Sequence, residues 1–268
     1  MMDRIKDTFR KLRKKGEKAL MPFVVIGDPD YKTSLQIVKR LSKYADMLEL
    51  GIPFSDPIAD GPTIQSADVR ALKKGINTDI AFRFIKDIRK FTQMPIGLLV
   101  YYNLIYQRGI ARFYRECKST GVDSVLAADV PIEEAGEIIR EARKNKVSSV
   151  FIVSPLTEKE RLKKIVKNTR GFVYIVSRLG VTGARKELQR STLELIMRVR
   201  SHTKLPLCVG FGISKPEHVR AICKAGADCA IIGSAIVKII EKNLKNKKLM
   251  LKRIEEYTKK LKEATRTK

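Results

Sequence analysis

No run of 18 or more apolar residues occurs anywhere in this 268-residue sequence, so nothing in it reads as a membrane-spanning helix. The N-terminus, MMDRIKDTFRKLRKKG, lacks the apolar stretch of an export signal, and the sequence predicts a soluble, cytoplasmic protein. Cysteine is scarce: Cys117, Cys208, Cys223 and Cys229 form no CxxC pair, and the expectation is buried free thiols rather than a disulfide or metal framework. Histidine is scarcer still. His202 and His218 both fall in or beside helical segments, which argues against a histidine-based metal site, and no metal is expected. Linkers, low-complexity tracts and short-period repeats are absent. With 44% hydrophobic residues, the chain has enough apolar material for one sizeable core, and a single domain over residues 1–268 is expected.

Acidic residues are the other deficit, 29 against 55 Lys and Arg, for a formal charge of +26. Such a balance raises the possibility of a basic nucleic-acid-binding protein. Its distribution argues otherwise. Residues 1–18 carry +5 and residues 241–268 carry +7, the rest is spread along the chain, and no dense basic tract interleaves with aromatics. A lysine-rich solvated surface, of the kind heat-adapted proteins carry, accounts for this better, and an anionic substrate would also benefit from the field.

Short Val/Ile/Leu runs alternate with helical patterns. The predicted strands are 21–26, 46–50, 96–101, 122–127, 149–153, 172–176, 206–210 and 229–232, mostly continuous apolar runs of the kind buried on both faces. Predicted helices lie near 31–44, 63–73, 78–92, 104–120, 132–145, 158–168, 187–202, 215–225 and 235–264. Pro131 is placed at the start of one helix, and Ser214-Lys215-Pro216-Glu217 offers a cap, an early proline and an acid for another. Eight strand–helix units in this length predict an α/β fold, a closed (β/α)₈ TIM barrel, rather than a doubly wound open sheet. Residues 1–18 form an extra N-terminal helix, with Ile5, Phe9 and Leu12 at helical spacing to cap the barrel's bottom. Residues 235–268 are expected to form a final helix and basic tail.

In such a barrel, chemistry gathers at the C-terminal ends of the strands. There Glu49 sits among Met47, Leu48 and Leu50. A buried charge is costly unless paired or functional, and desolvation would raise its pKa into the range of a general acid–base. A structural salt bridge is the competing reading. The following loop, Ile52 to Gln65, is stiffened by three prolines and holds Asp56 and Asp60, which alone would read equally as turn or cap residues. Three glycine-rich turns, Gly180-Val181-Thr182-Gly183, Gly210-Phe211-Gly212 and Gly233-Ser234, would let backbone N–H groups approach an anion, with Ser234 opening a helix.

The segment LELGIPFSDPIADGPTIQ closely resembles the signature of the tryptophan synthase alpha chain family. The likeness continues in PFVVIGDPD, GLLVYYNL, VDSVLAADVP, SRLGVTGA, GFGIS and IIGSAIVKIIEKN, and spans roughly residues 5–243. It implies a lyase of tryptophan biosynthesis that splits indole-3-glycerol phosphate into indole and glyceraldehyde 3-phosphate, with Glu49 and Asp60 as the catalytic carboxylates. No lysine sits at the end of VYIVSRLG, where a Schiff-base aldolase would need one, and protonation of indole at C3 can itself open the carbon–carbon bond. The resemblance assigns phosphate binding to Gly183, Gly212, Gly233 and Ser234. It assigns the indole walls to Phe23, Tyr101, Tyr174 and Phe211, for which core packing is the alternative; Leu99 and Leu126 read as plain core. In the family Thr182 belongs to a loop that folds over the substrate toward the second carboxylate. Leu179, where many relatives carry a small polar residue, is a departure that bears on that closure.

The family further implies a pyridoxal-phosphate-dependent beta subunit as partner in an α2β2 heterotetramer, the pyridoxal phosphate belonging to that subunit and no cofactor to this chain. Pro53, Asp56, Asn103 and Pro131 are the expected interface residues. The competing functions are another phosphate-binding barrel, such as a sugar-phosphate isomerase or epimerase, and the basic nucleic-acid binder. The first would share the phosphate cradle but not the proline-stiffened acidic loop.

Overall fold

A computed structural model describes residues 3–176, 190–210 and 212–266. The first helix, α1 (Arg4–Lys14), starts where the Asp3 side chain accepts the Lys6 N–H, and buries Ile5, Phe9 and Leu12. There follow β1 (Ala19–Val25), α2 (Tyr31–Leu41), β2 (Leu48–Gly51), α3 (Pro62–Lys73), α4 (Thr78–Arg89) and β3 (Ile96–Val100). Next come α5 (Tyr102–Arg108), α6 (Ile110–Thr120), β4 (Ser124–Ala127), α7 (Gly136–Lys144), β5 (Ser148–Ser149), β6 (Ile152–Val153) and α8 (Lys159–Asn168). The chain ends with β7 (Val173–Val176), α9 (Arg190–Arg200), β8 (Leu207–Gly210), α10 (Pro216–Lys224), β9 (Cys229–Ile232), α11 (Ser234–Lys242) and α12 (Lys247–Glu263).

All pairings between these strands are parallel, in the order β5-β4-β3-β2-β1-β9-β8-β7-β6. The two edges are halves of one expected strand. Only Val150 and Phe151 separate β5 from β6; Val150 donates to Val125 and Phe151 accepts from Tyr174, so this stretch closes the ring of a (β/α)₈ barrel.

Several predicted elements are shorter or divided. The single helix expected over 104–120 breaks at Gly109, whose φ of +79° is left-handed. The one expected to begin at Pro131 starts only at Gly136 after a turn. The long helix expected over 235–264 divides at Asn243–Asn246, where Asn246 caps α12 by accepting the Leu249 N–H. Residues of α12 pack against α2, with Met250, Ile254 and Leu261 buried, so the described C-terminus is part of the packed shell. Ser214 does not cap α10; the cap position falls on Lys215 and Pro216 opens the helix.

Period-two alternation sorts the strand residues. Leu48 and Leu50 join the apolar layer between sheet and helices, whereas Met47 joins a separate interior cluster with Met21, Leu126, Tyr174, Cys208 and Ile231. Glu49 shares the parity of Met47 and therefore points into the barrel. Ile5, Phe9 and Leu12 of α1 close the same cluster from below, each worth roughly 1.5–3 kcal/mol of burial. All four cysteines are free and buried. Among the described residues no helix is long and apolar enough to cross a membrane.

Candidate active site

Glu49 is the second residue of the four-residue β2, 3% exposed, in register with Phe23 on β1 and Gly97 on β3. Burial pushes its carboxyl up to about 8; the Tyr174 hydroxyl, 3.4 Å away, opposes this and the nearby charge of Asp60 adds to it. Among the described residues no cation pairs with it, so within them the salt-bridge reading finds no partner, and the raised pKa describes an acid that keeps its proton near neutrality.

Asp60 sits half-buried in the turn before α3. Burial raises its pKa and the Tyr101 hydroxyl, donating at 2.7 Å, pulls it back down. Tyr101 in turn accepts the Ala59 N–H at 3.1 Å and stacks on Phe54, ring centroids 5.1 Å apart. The Gln65 amide donates to the Asp60 carbonyl at 2.9 Å, pinning the same turn from α3. Two carboxyl groups of unequal surroundings thus face one space: one deeply buried, the other half-buried and held by the short hydrogen bond of a phenol.

That space is a cleft at the C-terminal end of the barrel. Glu49 and Asp60 lie on one side of it. Phe23, Tyr174, Leu99, Ile64 and Ile231 supply apolar walls. Gly212, Gly233, Ser234 and Ala235 also line it. Because α11 starts at Ser234, its first turn presents N–H groups and the positive end of the helix dipole to the cleft. Gly212 has φ +75°, which a residue with a side chain adopts only under strain. Among the described residues, no three His, Cys, Asp or Glu side chains gather as a metal site would require.

The structure separates the predicted residues into groups. Glu49, Asp60, Phe23, Tyr174, Gly212, Gly233 and Ser234 converge on the cleft. Tyr101 does not line it but stands behind Asp60 as its hydrogen-bond donor. Leu99, read from sequence as plain core, lines the cleft, because the end of β3 opens there; Leu126 is core as expected. Gly183, Thr182, Phe211 and Leu179 lie outside the described residues. At the rim, Asp56 and Asn103 are exposed, Pro131 is half-buried and Pro53 is buried; the Ser55 hydroxyl donates to Asp56.

Three features escaped the sequence reading. Gly210, taken there as part of an anion-binding turn, ends β8 against Tyr174: a Cβ would stand 2.7 Å from the Tyr174 hydroxyl. Gly51 makes the same allowance for Phe23, whose ring a Cβ would approach to 2.8 Å. A glycine at a strand end was the available signal for close approach. His218, set aside as a helical histidine, is buried, with Nδ1 3.2 Å from the Gly212 carbonyl and 3.4 Å from the Ser214 N–H, and so braces the turn that carries Gly212.

With this geometry in place, comparison with known proteins is direct. The family described as Tryptophan synthase alpha chain matches residues 9–266. The tryptophan synthase alpha chain of Methanothermobacter thermautotrophicus is 53% identical over 247 residues, covering 92% of each chain. That of Methanoregula boonei is 49% identical, covering 98% of this chain and 99% of its own. A solved structure from the tryptophan synthase α2β2 complex of Pyrococcus furiosus, a hyperthermophile, superimposes with a TM-score of 0.86 at 41% identity, over 91% of this chain and 98% of that one.

Proposed function

We propose a residue-level mechanism from one premise: this chain belongs to the tryptophan synthase alpha chain family. Its reaction is the retro-aldol cleavage of indole-3-glycerol phosphate to indole and glyceraldehyde 3-phosphate. The carrying observation is that a protonated buried acid, Glu49, and a tyrosine-supported carboxylate, Asp60, face one apolar cleft whose far side is the start of a helix.

Glu49 gives its proton to C3 of the indole ring. The ring becomes an indoleninium cation, its charge resting largely on nitrogen, and Asp60 accepts the hydrogen bond of the indole N–H and stabilises that charge. Glu49, now a carboxylate, takes the proton of the glycerol hydroxyl next to the ring. The bond between C3 and the hydroxyl-bearing carbon breaks, its electron pair returns to the ring as neutral indole, and the carbon leaves as the aldehyde. Glu49 ends the cycle protonated, so no other proton carrier is required. Phe23, Tyr174 and Leu99 flank the ring plane and exclude water. Gly212, Gly233 and Ser234 hold the phosphate on backbone N–H groups and the α11 dipole, with Gly183 assigned beside them by the family pattern.

The chain is read as one domain of a cytoplasmic enzyme that needs no cofactor of its own. Its partner is a beta subunit carrying pyridoxal phosphate, docked at the face that bears Asp56, Asn103 and Pro131 with Pro53 beneath, in an α2β2 assembly. The test is release of indole from indole-3-glycerol phosphate by the purified chain. A chain that binds the phosphorylated substrate yet releases no indole, alone or with a beta subunit, would refute the mechanism.

A further inference from the structure

The anion-binding part of the cleft is held from behind by two side chains that no step of the mechanism uses. After β8 the chain passes through Gly212, Ile213 and Ser214, all of which line the cleft, before Pro216 opens α10. His218 is the third residue of α10 and 4% exposed. Its Nδ1 stands 3.2 Å from the Gly212 carbonyl and 3.4 Å from the Ser214 N–H. Either ring tautomer therefore bonds the turn: a protonated Nδ1 donates to the carbonyl, a bare one accepts the N–H.

Tyr257 reaches the same turn from the last helix. It sits on α12 three residues after the buried Ile254, and its hydroxyl donates to the Ser214 carbonyl at 2.8 Å. Helices α10 and α12 pack against each other, so the two anchors share one support. A trans peptide points its C=O and N–H in opposite directions, so anchoring the Gly212 carbonyl on α10 turns the Ile213 N–H away from that helix. Without such anchors Gly212 would let the turn swing at little cost, since glycine has the widest choice of backbone conformations.

We propose that His218 and Tyr257 are positioning residues for phosphate recognition: they hold the 212–214 turn in the shape that receives the phosphate of the substrate, and of the phosphorylated product, before either arrives. The proposal rests on the reading that Gly212, with Gly233 and Ser234, holds that phosphate. Backbone N–H groups bind an anion well only when little ordering cost is left to the binding step. The first turn of α11 is ordered by its own helix. The 212–214 turn lies between β8 and α10, outside both ladders, and the two side chains supply its order instead. Neither His218 nor Tyr257 lines the cleft, so their loss changes phosphate affinity without touching Glu49 or Asp60.

The experiment measures kcat and KM for indole release from indole-3-glycerol phosphate with the full chain, as wild type, Tyr257→Phe, His218→Leu, His218→Asn and Ser234→Asp, each shown to be folded by circular dichroism. Inhibition constants for inorganic phosphate and for indole, as competitors of the substrate, read the two parts of the cleft separately. Tyr257→Phe removes one hydroxyl and should raise KM and the phosphate inhibition constant together by roughly 3- to 10-fold, the scale of one lost hydrogen bond. His218→Leu should raise both at least as much. The amide of His218→Asn stands where Nδ1 stood, donates or accepts as needed, and should keep both constants within about twofold of wild type. In these three variants kcat and the indole inhibition constant should stay within about twofold, since only ground-state binding of the phosphate is lost. Tyr257→Phe serves if His218→Leu does not fold. Unchanged phosphate affinity in either Tyr257→Phe or His218→Leu overturns the proposal. So does a loss shared equally by phosphate and indole, which a general loosening of the barrel would give, and so does an equal loss in His218→Asn and His218→Leu. Unchanged KM in Ser234→Asp removes the phosphate reading as well. A raised KM there, beside unchanged Tyr257→Phe and His218→Leu, removes only the two anchors.

Discussion

At the N-terminal end of the barrel, Asp46, Asp123 and Asp228 each precede a strand and accept a backbone N–H at the start of the neighbouring one: Leu20, Ile96 and Leu207. Each also meets cations: Lys262 for Asp46, Arg89 and Arg4 for Asp123, Arg200 and Lys18 for Asp228. At the C-terminal end Glu49 and Asp60 meet tyrosine hydroxyls instead, and the buried Asp68 Oδ2 has no hydrogen-bond partner among the described residues. One end satisfies its buried charge and gains rigidity. The other leaves Glu49 and Asp60 with a tyrosine hydroxyl each. Burial raises their pKa with no cation among the described residues to oppose it, whereas at the base burial also raises Asp46 but Lys262 and the Leu20 N–H pull it back. A barrel that separates stability from chemistry in this way can tolerate frustration at its mouth because its base is over-connected.

Glu49→Gln breaks the comparison most sharply. The amide keeps the shape and loses the proton, so kcat should fall by about 10⁴ or more, the upper end for a single acid–base group. Stability should move the opposite way. Glu49 titrates at about 8 when folded and at its ordinary 4.5 when unfolded. Between those values the folded state holds more protons, so its contribution is full below 4.5 and is lost as pH rises through 8. Thermal melts should show Glu49→Gln more stable than wild type at pH 8–9, with the gap closing toward pH 4.5. A variant that retains near-normal turnover, or that gains nothing at alkaline pH, would contradict the reading of an unpaired acid.

The complementary change is at the base. Asp228→Ala strands Arg200 and Lys18 and removes the acceptor of the Leu207 N–H. It should destabilise the fold by about 2–4 kcal/mol, since uncompensated partners cost more than the pair contributed. The turnover of the folded fraction should stay within about threefold, because the reacting groups lie at the other end. Denaturant melts read the first number and active-site-normalised assays the second. A loss of kcat without a loss of stability would show that the two ends are coupled.

The base also shows why part of the fold was not legible in sequence. Arg89 donates to the carbonyls of Met94 and Gly121 and to Asp123; Arg200 donates to those of Leu205 and Gly226 and to Asp228. The wiring is duplicated: both motifs read Arg-x-x-Thr-x-x-Pro at a helix end, at 89–95 and 200–206, with a Gly-x-Asp about thirty residues after the Arg, but more than a hundred residues separate the copies, so they do not register as a short-period repeat. The strands were legible because continuous apolar runs mark burial on both faces, and Glu49 stood out against that background. Asp68 did not, because on a helix a charged residue reads as solvent-facing, yet it is 4% exposed. Tyr101 and Gly210 lay at the right strand ends, but their jobs, holding Asp60 and making room for Tyr174, depend on side-chain direction.

Ser234→Asp sharpens the contrast within the mouth itself, between its acidic side and its anion-binding side. A carboxylate at the start of α11 would satisfy the helix dipole and repel the substrate phosphate. KM should rise by roughly 10- to 100-fold with a smaller change in kcat, since removed ground-state binding appears in KM. An unchanged KM would place the phosphate elsewhere.

The smallest effect expected is at the rim, where the mouth would meet its partner. Asp56 is exposed, among the described residues its side chain meets only the Ser55 hydroxyl, and it lies four residues before Asp60, whose carbonyl Gln65 of α3 holds. A basic group on a docked beta subunit could pair with it without disturbing the Tyr101–Asp60 hydrogen bond. Docking would then tighten the 54–60 segment from outside as α3 tightens it from within, and turnover would rise by a coupling of about 1–3 kcal/mol. Titrating a beta subunit into the cleavage assay reads this directly. Asp56→Ala should leave the basal rate of the isolated chain unchanged and weaken the stimulation several-fold, with the difference shrinking at high salt as an exposed ion pair requires. Equal stimulation of variant and wild type would remove Asp56 from the interface. Stimulation that falls equally in Asp56→Ala and in a charge-removing variant at the barrel's base, such as Arg10→Ala, would mean that the general basic field, rather than this rim, guides the encounter.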